Sequence, residues 1–228
     1  MRHPLHLLAF VLCFAPGLFA WSPRFHENQT LLAVQLAPRR LRRFLQARPG
    51  ELAQGARGQS SDQVPTVEEV EEQFQRIVTL TEQHRQPEII VRELGKLGHQ
   101  VQLLMDPSAI RGVTPLRDAF EAYGDEKRAR LILTREVFWA AKGPLEPRPA
   151  LLRWTLQKFE RNQTLETCFD EKTDQRLGSW DDLSLPYAQL QLAYSNGIHA
   201  TANLWILLWR ALGDQWDPGP EESSHPIR

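Results

Sequence analysis

The sequence predicts an all-α fold, a compact bundle of about six or seven helices, and three observations lead there. Apolar residues recur at helical spacing: Ile90, Leu94, Leu97, Val101 and Leu104 are four, three, four and three residues apart, which specifies one buried face. Helix starts carry hydroxyl and proline signals, namely the capping box Thr66-Val67-Glu68-Glu69 and Ser184 followed by Pro186. A last stretch, Ile198 to Leu212, is apolar on nearly all sides and reads as the central core helix.

The chain opens with a secretory signal over residues 1–20: Arg2 near the start, an apolar core from Leu7 to Phe19, and the small residue Ala20 at the end. That run is shorter than a membrane span and is interrupted by Pro16 and Gly17, so no stable span is expected and the protein is expected to be secreted or periplasmic. Removal of the signal leaves about 208 residues, read as one domain over 21–213, expected to be a monomer, and a polar, proline-rich tail over 214–228, expected to be disordered. With 27 basic and 28 acidic residues, net charge implies no polyanion partner. Cys13 departs with the signal and Cys168 remains alone, so packing rather than an intramolecular disulfide has to hold the fold.

The first helix is expected from about Glu27, with Leu31, Leu32, Val34 and Leu36, until Pro38 interrupts it; it resumes through Arg39 to Leu45, where four arginines surround Leu41 as a solvated or phosphate-facing run. Arg48 to Pro65, rich in Gly, Gln and Ser, reads as a long loop. The capping box then starts a helix that buries Val70, Phe74, Ile77 and Val78 and runs to about His84, which reads as solvent-exposed. The next spans Glu88 to Met105. Off its apolar stripe lie Gly95, Gly98, His99, Gln102 and Asp106, and since a helical glycine costs about 1 kcal/mol relative to alanine, two of them three apart imply close approach of a helix or ligand. Pro115 and Asp125 are expected to start two further helices, the first with Phe120 and Tyr123, the second with Leu131, Ile132, Leu133, Val137 and Phe138. Another, from about Pro149 to Phe169, carries Leu151, Leu152, Trp154, Leu156 and Phe159. Asn28-Gln29-Thr30 and Asn162-Gln163-Thr164 are glycosylation sequons in a eukaryotic host. In the last helix Ser195, His199 and Asn203 share a stripe, and buried polar groups need partners, so this stripe either bonds to neighbouring helices or faces a site.

The chemistry concentrates around Trp21-Ser22-Pro23-Arg24-Phe25-His26. Cleavage after Ala20 frees the amine of Trp21, which with its own carbonyl can chelate a metal, and an imidazole, well suited to zinc, follows at His26. Without a metal, Trp21 is an aromatic anchor and His26 a first-turn surface histidine.

A mature N-terminal Trp whose amine and carbonyl bind zinc, followed by a His, resembles the zinc-dependent phospholipase C and single-strand-specific nuclease superfamily, and the Trp-x-x-x-x-His spacing from Trp21 to His26 resembles its nuclease branch. The segment Leu97-Gly98-His99-Gln100-Val101-Gln102-Leu103-Leu104-Met105-Asp106-Pro107 resembles that family's central helix, where a Leu-Gly pair leads into His-x-x-x-Asp. Here Gln102 stands in the place of that histidine, and a neutral carboxamide is a poor zinc ligand. Ile110 and Gly112 hold the places of a later Pro and His. His99 precedes Asp106 by seven residues, about 10 Å along a helix, so the two flank a site rather than share an ion. Asp62 and His84 stand near two further ligand positions, although the spacing of Asp62 is not the family's. No histidine occurs between His99 and His199, and Glu136 is the nearest acid to the remaining ligand pair. His199-x-x-x-Asn203 resembles a ligand pair with Asn in place of the acid, while its position along the chain matches the family's ligand-free C-terminal helix. The resemblance therefore implies zinc as cofactor, Trp21, His26, Asp106, His99 and His199 as metal ligands, Asp106 as the catalytic residue, and a phosphodiester substrate, phospholipid or nucleic acid, attacked by zinc-bound hydroxide. Missing ligands support the alternative of a non-catalytic helical binding protein on the same scaffold with few or no metals, and a third reading is an unrelated exported helical domain.

Overall fold

A computed structural model describes residues 23–58, 63–110, 114–134 and 147–213; the signal segment, Trp21, Asp62, Glu136 and the tail after 213 lie outside the described residues. The protein is all-α, with eight α-helices among the described residues: α1 (Pro23–Leu36), α2 (Arg39–Gln46), α3 (Pro49–Ala56), α4 (Val67–Glu82), α5 (Pro87–Met105), α6 (Pro115–Lys127), α7 (Pro147–Glu166) and α8 (Leu185–Ala211). A two-residue antiparallel ribbon, β1 (Phe169–Asp170) with β2 (Gln175–Arg176), links α7 to α8. No described helix is long and apolar enough to cross a membrane.

Local signals set most of the starts. At α4, Thr66 Oγ1 accepts from the Glu69 N–H at 3.2 Å and Glu69 Oε2 accepts from the Thr66 N–H at 2.7 Å, closing the capping box. Ser184 Oγ accepts from the Tyr187 N–H at 3.4 Å to open α8. Three boundaries correct the sequence reading. Helix α1 begins at Pro23, not Glu27, because proline is well placed in a first turn. Helix α3 lies inside the stretch read as a loop: Pro49 and Glu51 make a sound first turn, and the glycine that spoils the helical signal, Gly55, is there for packing. Helix α6 runs through Asp125 to a single 3-10 turn at Arg128–Arg130, after which residues 131–134 leave the helical path, so no helix begins at Asp125.

Helix α5 is the axis, touching α1, α3, α4, α7 and α8. Its apolar stripe is buried as its spacing requires, with Leu94, Leu97 and Val101 at 0% exposure. On the opposite side two glycines interlock two backbones: a Cβ on Gly55 would stand 2.0 Å from the Arg92 carbonyl oxygen, and one on Gly95 would stand 2.3 Å from the Leu52 carbonyl oxygen. Gly98 is equally confined on the α8 side, where a Cβ would meet Thr201 Cγ2 at 3.0 Å. The glycines thus serve helix approach. Trp205, fully buried, ties α8 to α5 by donating from Nε1 to the Leu94 carbonyl at 3.1 Å.

Helix α7 buries only part of the apolar set named from the sequence. Leu152, Leu156 and Phe159 point outward, each about half exposed or more, while Leu151, Trp154, Lys158, Asn162 and Leu165 point inward. The reason lies in the turn after α5, whose carbonyls have no helical donors. Asn162 Nδ2 donates to the Pro107 carbonyl at 2.9 Å and Lys158 Nζ to the Ala109 carbonyl at 3.3 Å. The sequon asparagine Asn162 is therefore a buried donor, and Asn28 Oδ1 accepts from the Tyr194 hydroxyl at 2.6 Å.

The α3–α5 crossing yields a paired expectation. Gly55→Ala drives a methyl into backbone and destabilises by about 1–3 kcal/mol, whereas Gly50→Ala, with nothing within 4 Å of the added carbon, is neutral or stabilising by up to about 1 kcal/mol. Urea titration of the two variants measures both; equal effects would show that the crossing is loose.

Candidate functional site

A polar layer crosses the core where α1, α5 and α8 meet. His26 Nδ1 lies 2.9 Å from Gln102 Oε1, and Gln102 Nε2 donates to Thr30 Oγ1 at 3.0 Å and Thr201 Oγ1 at 3.3 Å. Thr201 already gives its hydroxyl proton to the Gly197 carbonyl at 2.7 Å, so it accepts from Gln102. That fixes the carboxamide orientation, and His26 Nδ1 is therefore the donor and Nε2 carries the lone pair. Burial, then the neighbouring His99, holds the pKa of His26 well below the usual imidazole range, so the ring is neutral. His26 is no surface histidine: it is at 0% exposure, its ring edge-on to His99 with centroids 4.4 Å apart. Burial brings the pKa of His99 down to about 4 against a hydrogen bond to the Ala56 backbone. Gly58, at φ +67°, lies where a Cβ would come within 2.5 Å of His99 Nε2, so glycine serves there both for its left-handed backbone and for the close approach.

Asp106 caps the C-terminal end of α5, the negative end of the helix dipole, at 0% exposure. Its Oδ1 accepts from the Ser108 N–H at 2.8 Å and from the Ser108 hydroxyl at 2.7 Å. Burial pushes its pKa up, and the Ser108 bonds followed by the charges of Lys158 and Arg117 oppose that rise. Arg117 and Glu121, one turn apart on α6, form a buried pair with Nε to Oε1 at 2.7 Å. Burial, then the charge of Asp106, pushes Glu121 up to about 8, and burial pulls Lys158 down to about 8. Asp106, Glu121, Arg117 and Lys158 thus form one interacting group inside the protein. Sequence reasoning passed over Arg117, Glu121 and Lys158: an i, i+4 Arg–Glu pair and a lone helical lysine look like ordinary surface residues.

His199 belongs to another structure. Along α8, Tyr187, Gln191, Ser195 and His199 stand at intervals of four and bind the backbone of segment 130–134. The Tyr187 hydroxyl donates to the Arg130 carbonyl at 3.2 Å; Gln191 accepts from the Ile132 N–H at 3.1 Å and donates to the Ile132 carbonyl. Ser195 Oγ accepts from the Thr134 N–H at 3.2 Å, and His199 Nε2 donates to the Thr134 carbonyl at 2.9 Å. Ser195 and His199 of the stripe singled out in the sequence therefore bond to a non-helical segment rather than to a neighbouring helix.

Between α3 and α5 opens a cavity of about 570 Å³, lined among others by Gln54, Arg92, Lys96, His99, Gln100 and Leu103. His99 is its innermost link to the buried layer, since the same ring contacts His26.

Of the residues predicted as metal ligands, the structure joins His26 to His99, sets Asp106 among Lys158, Arg117 and Ser108, and places His199 against Thr134, while Trp21 lies outside the described residues. His84 is exposed at a left-handed helix end, φ 52°. Among the described residues no three His, Cys, Asp or Glu side chains gather as a metal site. The place one turn before Asp106 on α5 holds a carboxamide already bonded to His26, Thr30 and Thr201, which does not fit a multi-zinc cluster, while Asp106 Oδ2 is buried with no hydrogen-bond partner. No protein-family model, curated protein or solved structure matches the chain.

Two outcomes test this geometry. Lys158→Met leaves Asp106 short of a cation in the interior and destabilises by about 3–5 kcal/mol, and the double variant Asp106→Asn/Lys158→Met regains most of that loss; additive effects in denaturant titration would show that the pair is uncoupled. For His99 the unfolded chain takes up a proton between pH 6.5 and about 4 that the native protein does not. Its contribution is thus complete above pH 6.5 and lost as pH falls toward 4. In His99→Asn this loss is removed, so the stability difference from the parent shrinks by up to about 3 kcal/mol across that window; parallel pH profiles for the two proteins would refute it.

Proposed function

We propose that this chain is a non-catalytic helical binding protein on the scaffold that its N-terminal and α5 motifs resemble, with protein cations balancing the buried carboxylates. The observation that carries this reading is the surroundings of Asp106, where Lys158 and Arg117 supply positive charge and Ser108 donates twice to Oδ1. A divalent ion bound to that carboxylate would be repelled by both cations at low dielectric. Gln102 supports the same reading, since it spends its acceptor on His26 and its donors on two threonines.

The second reading is a secreted or periplasmic zinc-dependent phosphodiester hydrolase acting on phospholipid or nucleic acid. What favours it is the contact between two buried neutral imidazoles, His26 and His99, with the His26 lone pair on Nε2 and Trp21 five residues upstream. Metal content of protein processed to begin at Trp21, together with hydrolysis of bis(p-nitrophenyl) phosphate, separates the two. The expected result is zinc well below one equivalent and no turnover. One equivalent or more of zinc that disappears in His26→Asn, with chelator-sensitive turnover, would overturn the proposal in favour of the hydrolase.

A further inference from the structure

We propose that the cavity between α3 and α5 is a binding site for a small organic oxyanion, a carboxylate or phosphomonoester, held by Arg92 and Lys96. The inference deepens the non-catalytic reading and rests on it. Arg92 and Lys96 stand one turn apart on the face of α5 that lines the cavity, both exposed, and neither has an ion-pair partner among the described residues. The acids beside them are committed elsewhere. Glu69 caps Thr66 at 2.7 Å, and Glu93 accepts from Gln73 Nε2 at 2.8 Å and pairs with Arg76 at 3.3 Å. Two cations are therefore left uncompensated over one concave surface. A guanidinium matches the two oxygens of a carboxylate or phosphate in a fork, and an ammonium adds a point charge beside it.

The interior of the cavity speaks for an organic body behind the charged head. At about 570 Å³ it lies within the range of small-molecule sites and far exceeds one oxyanion. His99 and Gln100 line the cavity beside the two cations. Leu103 adds an apolar contact. The near-zero net charge and concave shape favour a small solute over a polyanion.

The test is calorimetric titration of chelator-treated full-length mature protein with glycerol 3-phosphate and with glycerate at low ionic strength. The expected result is saturable one-to-one binding of at least one probe, weakened at least tenfold in Arg92→Gln/Lys96→Gln and unchanged in Arg39→Gln/Arg40→Gln; the tighter probe identifies the head group. Absence of saturable binding by either probe, or binding that survives Arg92→Gln/Lys96→Gln, overturns the proposal while leaving the metal-free reading intact. Binding that appears only after zinc is restored and vanishes in His26→Asn overturns both.

Discussion

A carboxamide buried among three helices has to place both of its donors and its acceptor, because each polar group left without a partner there costs about 1–3 kcal/mol. Gln102, at 0% exposure, meets that demand with His26 and Thr30 from α1 and Thr201 from α8. One side chain thereby fixes the register of α1 and α8 against α5, sets the protonated nitrogen of His26, and turns that ring toward His99. The glycines of α5 permit the arrangement: Gly95 lets α3 come into backbone contact and Gly98 admits Thr201 and Trp205. Apolar packing alone would tolerate small slips along these helices, whereas directional bonds do not.

Much of the fold was legible in the sequence, and the failures have specific physical causes. The capping box at Thr66, the apolar stripe from Ile90 to Leu104 and the Ser184 cap are local signals, and each behaves as its chemistry dictates. Helix α3 was hidden because Gly55 is selected by a contact with α5 that is remote in sequence, so a packing requirement passed for loop composition. In helix α7 the sequence shows apolar residues on two sides, and the buried side is the one whose Lys158 and Asn162 reach two carbonyls that need donors once α5 has ended. The candidate site was legible in part: His26, His99, Gln102 and Asp106 do occupy the polar interior, but the cations that decide their chemistry, Arg117 and Lys158, come from other helices and carry no spacing signal.

These partners bear on what the interior can do. The positive charge near Asp106 comes from long buried side chains on α6 and α7, Arg117 and Lys158. Such a cluster holds helices in place and keeps several groups near their titration points, with Glu121 and Lys158 both close to 8. Arg92 and Lys96 line the α3–α5 cavity together with His99. The ring of His99 thus joins the cavity to the buried polar layer through its contact with His26.

The ladder on α8 works because two periods nearly agree: four helical residues advance about 6.0 Å, and two extended residues about 6.6 Å. Hydroxyl, carboxamide and imidazole groups can therefore serve alternate residues of segment 130–134 as the edge of a sheet would. Such a rail accepts its guest only in even steps. Inserting one residue between Ile132 and Thr134 would turn the hydrogen-bonding edge away from α8, and inserting two would restore it, so length variation in this segment should come in pairs.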